Sequence, residues 1–146
     1  MTCPMKVELT HQSGFHATIT DDRGYTIDID NKSVNNPQGA SPMELLLMGV
    51  AGCSSIDIVH ILDKQKIKPD SLKIEVEGKR QADATPALFT DIHAIVKVTG
   101  DVKPDRIYRA AKLSFEKYCS VSKTLEATAK ITFSVIVNDQ LHEPIQ

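Results

Sequence analysis

The segment Ser41-Pro42-Met43-Glu44, followed by the uncharged, apolar-rich stretch Leu45–Ile56, is the feature that most limits how this chain can fold. Ser41 can cap a helix, Pro42 suits the first helical position, and Glu44 stands three residues after the cap. The pattern predicts a helix running to about Asp63 or Lys64. From Leu45 to Ala51 it is apolar on every side, which marks a helix buried within a domain or between subunits. Gly49 and Gly52 each weaken it by ~1 kcal/mol against Ala. Two glycines in a buried helix imply that another backbone packs close by.

The N-terminal third reads as β. Val7 and Leu9 alternate with polar neighbours, and Ala17-Thr18-Ile19-Thr20 continues the pattern. After a turn at Asp22-Arg23-Gly24, Tyr25, Ile27 and Ile29 show the period of a half-buried strand. Residues 31–40 are loop by composition. Beyond the central helix, Leu72, Ile74 and Val76 mark one strand, and Ile92, Ala94, Val96 and Val98 another. Pro104-Asp105 opens a second helix whose apolar face is Ile107, Ala111, Phe115 and Tyr118. A short third helix over Ser120–Ala129 precedes a closing strand at Ile131, Phe133, Val135 and Val137. The order β-β-β-α-β-β-α-α-β is an α+β arrangement with segregated strands.

With 146 residues, 41% of them hydrophobic, the chain is sized for one domain over 1–146, burying about two thirds of its unfolded surface. A net charge of -2 carries no electrostatic footprint for nucleic acid or an anionic membrane. The Leu45–Ile56 run is 12 residues, short of the ~20 that span a bilayer. Three cysteines, an odd count, are too few for a secreted disulfide scaffold of this length. No basic region followed by an apolar run opens the chain. These features predict a cytoplasmic protein with reduced thiols.

Cys53 and Cys119 are the candidate chemistry. A thiolate attacks peroxide oxygen, and a second thiol can close a disulfide and reset the first. Free Cys is equally a common core residue, so both readings stay open. Burial in an apolar stripe disfavours a Cys53 thiolate, and the nearby Asp57 disfavours it further. His60 is seven residues on, roughly 10 Å along the axis, too far for direct proton transfer. Cys119 precedes the third helix, with Lys117 and Lys123 close in sequence. Cys3 reads as incidental. Glu44 lies nine residues before Cys53, half a turn round and about 13.5 Å away along a regular helix, and reads equally as a capping carboxylate. His11, His16, His60, His93 and His142 form no metal spacing with the cysteines, and no phosphate loop or nucleophile elbow is present. No cofactor or metal is expected.

The run from Ser41 to Cys53 resembles the central-helix motif of the OsmC/Ohr family, a P-x-E start and a small apolar run ending in Cys. Glu116-Lys117-Tyr118-Cys119-Ser120-Val121 resembles that family's second-cysteine motif. Arg80 and the segment Pro86–His93 between them also fit, and the features look most like the YhfA-like branch. The resemblance implies an intertwined dimer, with antiparallel sheets around packed central helices and each site built from both subunits. It implies a thiol-dependent peroxidase with catalytic Cys53, Cys119 and Glu44, in which Cys53 is peroxidatic and Cys119 resolving. The substrate would be an organic hydroperoxide and the recycling partner a dithiol reductant, in oxidative stress defence. Glu44 would then serve the partner's site. The better-characterised members carry an N-terminal Arg that pairs with the Glu. Here the candidate cations are Arg23, whose surroundings do not match that motif, and Arg80. The competing reading is a binding protein of the same fold that holds a small hydrophobic ligand.

Overall fold

A computed structural model describes residues 4–144; Cys3 lies outside the described residues. The chain divides into two compact units, Met1–Leu46 and Leu47–Gln146.

In the first unit, β1 (Val7–Ser13), β2 (His16–Asp21) and β3 (Thr26–Ile29) form an antiparallel meander. Register places Leu9 opposite Ile19 and Ile19 opposite Ile27, so one apolar row crosses the sheet. The predicted alternation is present, yet Leu9 and Ile27 remain 55% and 47% exposed. The following loop is pinned. Asp30, itself buried, accepts hydrogen bonds from the Asn31 N–H at 2.7 Å and the Gln38 N–H at 2.9 Å. Those bonds, from Gln38 first and Asn31 second, hold its carboxyl below the usual carboxylate range.

Helix α1 spans Pro42–Lys64, as its capping pattern predicts. Val50, Ser54, Ile58 and Leu62, at four-residue spacing, form its buried stripe. Within this chain the predicted Leu45–Ala51 stretch is not buried on every side, since Leu46 and Met48 are 38% and 53% exposed, and Ile56 and Val59 beyond it are 72% and 47% exposed. The glycines also differ from expectation. A Cβ at Gly49 would meet a methyl of Val121 at 3.3 Å, and one at Gly52 would meet nothing within 4 Å. Neither glycine accommodates a neighbouring backbone among the described residues. By length and composition alone α1 is also long and apolar enough to cross a membrane.

The second unit carries β4 (Ser71–Arg80), β5 (Phe89–Thr99), β6 (Lys130–Val137) and β7 (Gln140–His142), hydrogen-bonded in that order. β4–β5 and β6–β7 are antiparallel. β5 and β6 run parallel, where antiparallel sheets are expected. The reason is the crossover between them, helix α2 (Pro104–Leu113), a π-helical turn (Ser114–Tyr118) and helix α3 (Ser120–Leu125), which returns the chain to the start of β5. The fold is α+β with two sheets, as the strand order predicts.

Ile92, Ala94, Val96 and Val98 of β5 are buried together with Val135 and with Ile107, Ala110 and Ala111 of α2. Phe115 stacks on Phe133 with ring centroids 5.3 Å apart. Full burial of each large aliphatic side chain here contributes about 1.5–3 kcal/mol. The helical spacing also predicts Tyr118 on the apolar face, but Tyr118 is half exposed. The π-helical turn inserts a residue and rotates the downstream side chains by about 100°. α3 ends at Leu125, short of the predicted Ala129.

Candidate functional site

The crossover's awkward turn builds the site. In the π-helical turn the Cys119 N–H donates to the Ser114 carbonyl, five residues back, at 2.7 Å. Cys119 then leaves the helical conformation with φ -70 and ψ 104 and caps α3, its Sγ accepting from the Ser122 N–H at 3.4 Å. Ser114 acts twice, since its hydroxyl donates to Asp57 Oδ2 on α1 at 2.9 Å. Val121, on the first turn of α3, rests where Gly49 leaves room on α1.

The result is a cluster. Cys53 Sγ, an Asp57 carboxylate oxygen and Cys119 Sγ all lie within 4.8 Å of one another. Cys53 is partly exposed and Cys119 fully buried, and neither is in a disulfide. Burial pushes the Cys119 thiol up, and the Cys53 sulfur adds to the rise; the Ser122 hydroxyl first and the Ser122 N–H second work against both. The Ser122 hydroxyl is buried with no hydrogen bond of good geometry among the described residues. Beside the cluster, Asp57 also lines a cleft of about 480 Å³ with His60, Ile61, Lys64, Leu113 and Tyr118.

Glu44 occupies different surroundings. Its Oε1 accepts from the Ser41 N–H at 2.9 Å while the Glu44 N–H donates to Ser41 Oγ at 3.2 Å, a reciprocal capping box. Its Oε2 accepts from Lys32 Nζ at 3.0 Å. The Ser41 N–H first and Lys32 second hold its carboxyl below the usual range. α1 is helical from Pro42 onwards, so Glu44 and Cys53 keep their nine-residue separation along one helix.

The candidate cations have other contacts. The Arg23 guanidinium lies over the Tyr25 ring at 6.0 Å, and Arg80 Nε donates to the Ala87 carbonyl at 2.8 Å. Lys117 sits over the Tyr118 ring at 5.2 Å, and Lys123 pairs with Glu126 at 3.3 Å. Sequence reasoning takes Asp57 only as a neighbour that disfavours a Cys53 thiolate, and the structure makes it a member of the cluster. Its one signal is its place four residues after Cys53, on the same helix face.

A small α+β chain with two thiols brought together between its central helix and its crossover defines a class, and the comparisons agree. The family model described as OsmC-like protein matches residues 35–134, and the chain belongs to that family. Among its relatives is Protein YhfA of Escherichia coli (strain K12), 41% identical over 112 residues that cover 76% of this chain and 81% of that protein. The crystal structure of a hypothetical protein from Aquifex aeolicus VF5 is 31% identical with a TM-score of 0.78, covering 94% of this chain and 99% of that one. The organic hydroperoxide resistance protein OhrB of Bacillus subtilis shares the fold at 21% identity, with a TM-score of 0.67 and coverage of 91% and 98%.

Proposed function

We propose that this chain is a thiol-dependent peroxidase that reduces organic hydroperoxides, a role in oxidative stress defence. The observation that carries the reading is the approach of the Cys53 and Cys119 sulfurs to within 4.8 Å of each other. The resistance to organic hydroperoxides named for the Bacillus subtilis neighbour supports the substrate class.

Exposure sets the order of events. The partly exposed Cys53 meets substrate, which reaches it from the cleft beside Asp57. The Cys53 thiol gives up its proton, the thiolate attacks the terminal peroxide oxygen, the O–O bond breaks, the alkoxide takes up that proton and leaves as the alcohol, and Cys53 becomes a sulfenic acid. Cys119, buried and held protonated, does not compete for peroxide. Its sulfur then attacks the Cys53 sulfenate, water leaves, and a Cys53–Cys119 disulfide forms. Side-chain rotation brings the sulfurs to bonding distance, about 2.05 Å. A dithiol reductant reopens the bridge by exchange. Such chemistry belongs in the cytoplasm, where resting thiols are reduced.

The working unit is a homodimer. Each unit of the chain leaves an apolar face bare: Val7, Leu9 and Ile27 on the first sheet, and Met48, Ile56 and Val59 around the open Gly52 on α1. Such surfaces are covered in stable soluble proteins. Glu44 contributes to catalysis from the partner copy in this reading.

Steady-state consumption of cumene hydroperoxide with dihydrolipoamide as reductant tests the function. Cys53→Ser should lose turnover altogether. Cys119→Ser should form one equivalent of sulfenic acid, trapped by dimedone, and recycle poorly. Equal consumption by wild type and Cys53→Ser would overturn the reading.

A further inference from the structure

Three potential anions meet at one point on this chain, and the carboxylate among them has no ion-pair partner among the described residues. Cys53 Sγ, the Asp57 carboxylate and Cys119 Sγ share one small volume. The partner of Asp57 is a neutral hydroxyl, that of Ser114. No Lys, Arg or His comes within ion-pairing distance of Asp57 among the described residues. We propose that Cys53, Asp57 and Cys119 form a binding site for a thiophilic divalent metal of the zinc(II) class, with the fourth position open to water.

The donor chemistry suits such an ion. Two sulfurs and one carboxylate oxygen are ligands that zinc(II) accepts, at about 2.3 Å for S and 2.0–2.2 Å for O. Tetrahedral geometry then places the donors about 3.6–3.8 Å from one another. The donors already lie within 4.8 Å, so rotation of three short side chains closes the set. Oxygen-seeking ions such as magnesium would reject two thiolates in favour of water and carboxylate.

The surroundings resemble an outer coordination shell. Ser114 Oγ holds the carboxylate at 2.9 Å and fixes its orientation. The Ser122 N–H points at the Cys119 sulfur from 3.4 Å, a donor suited to a metal-bound thiolate. The buried Ser122 hydroxyl, which has no hydrogen bond of good geometry among the described residues, stands beside the same sulfur and can donate to it once it is anionic. Ions have a route in, because Cys53 and Asp57 are both partly exposed and Asp57 lines the cleft. Sequence spacing offers no such set, since Cys53 and Asp57 stand on α1 and Cys119 arrives from the crossover.

This site does not depend on peroxidase activity, but it bears on the same sulfurs. A metal bound through both thiolates and a disulfide between them exclude each other. Metal occupancy would therefore hold the pair reduced and shield it from peroxide.

The test is titration of the reduced, full-length protein with cobalt(II) under anaerobic conditions, followed by displacement with zinc(II). One equivalent should develop thiolate-to-cobalt charge-transfer absorption that zinc(II) removes. Oxidised wild-type protein, the same chain with its pair bridged, should show none, which guards against variants that misfold. Cys53→Ser and Cys119→Ser should each lose most of the band, and Cys3→Ser should keep it. Asp57→Asn should retain the band but bind at least tenfold more weakly, and Asp57→Glu should recover part of that loss. No charge-transfer band, a band unaffected by Cys53→Ser or Cys119→Ser, or unchanged affinity in Asp57→Asn would overturn the proposal. Hydroperoxide consumption by the metal-free protein is read separately, so the two readings fail independently.

Discussion

Two carboxylates stand on the same helix and live in opposite circumstances. Glu44, in the first turn of α1, has both oxygens engaged by strong donors, the Ser41 N–H and the Lys32 ammonium. Asp57, well along the same helix, has one neutral hydroxyl and two thiols for company. Local motif identifies the first, and only the tertiary fold creates the second. A carboxylate whose partners are supplied within a dozen residues has a local task in helix initiation, whatever it adds at a partner's site. One that meets a buried sulfur delivered by a distant crossover, with only the Ser114 hydroxyl to hold, is not explained by helix initiation.

The contrast can be broken, and the largest effect should come from the sulfurs. Replacing either Cys53 or Cys119 by Ser removes the intramolecular disulfide completely, read by non-reducing peptide mapping after peroxide treatment. Next comes the seat of α3. A Gly49→Leu side chain would intrude on Val121, whose methyl already stands 3.3 Å from a Cβ at that position. Overpacking of this kind costs about 1–3 kcal/mol. Chemical denaturation should record that loss, and disulfide formation should slow because Cys119 is pushed from Cys53. An unchanged oxidation rate would separate the seat of α3 from the approach of the sulfurs.

Smaller effects belong to the Glu44 end. Ser41→Ala removes the hydroxyl that accepts the Glu44 N–H and should cost ~1 kcal/mol of stability, read by chemical denaturation. Smallest is the pH response of Glu44. Its folded acidity is enhanced, so its contribution is present at neutral pH and lost as pH falls below the ordinary Glu range and through its depressed value. Glu44→Gln should flatten that part of the acid-unfolding curve. A wild-type curve identical to that of the variant would place Glu44's role outside helix initiation.

The start of α1 was legible because capping is local chemistry: Ser41, Pro42 and Glu44 each act on backbone groups within one turn. The alternation in β5 was legible for the same reason, a period of two over Ile92, Ala94, Val96 and Val98. Strand direction was not. Whether β6 lies parallel or antiparallel to β5 depends on where the crossover delivers the chain, and no residue in either strand records it. The π-helical turn at Ser114–Tyr118 has no distinctive composition, so neither the swing of Tyr118 nor the link from Ser114 to Asp57 could be read ahead. β7, of three residues, is too short to show a period. The two cysteines stood out as types and through family resemblance; their approach, and the carboxylate between them, required the fold.

The most direct test is the intact mass of the reduced protein after one equivalent of cumene hydroperoxide. The account predicts rapid loss of two hydrogens, with peptide mapping assigning the bridge to Cys53 and Cys119. Slow addition of oxygen with no bridge between these residues, or a bridge that forms equally well without Cys53, would contradict it.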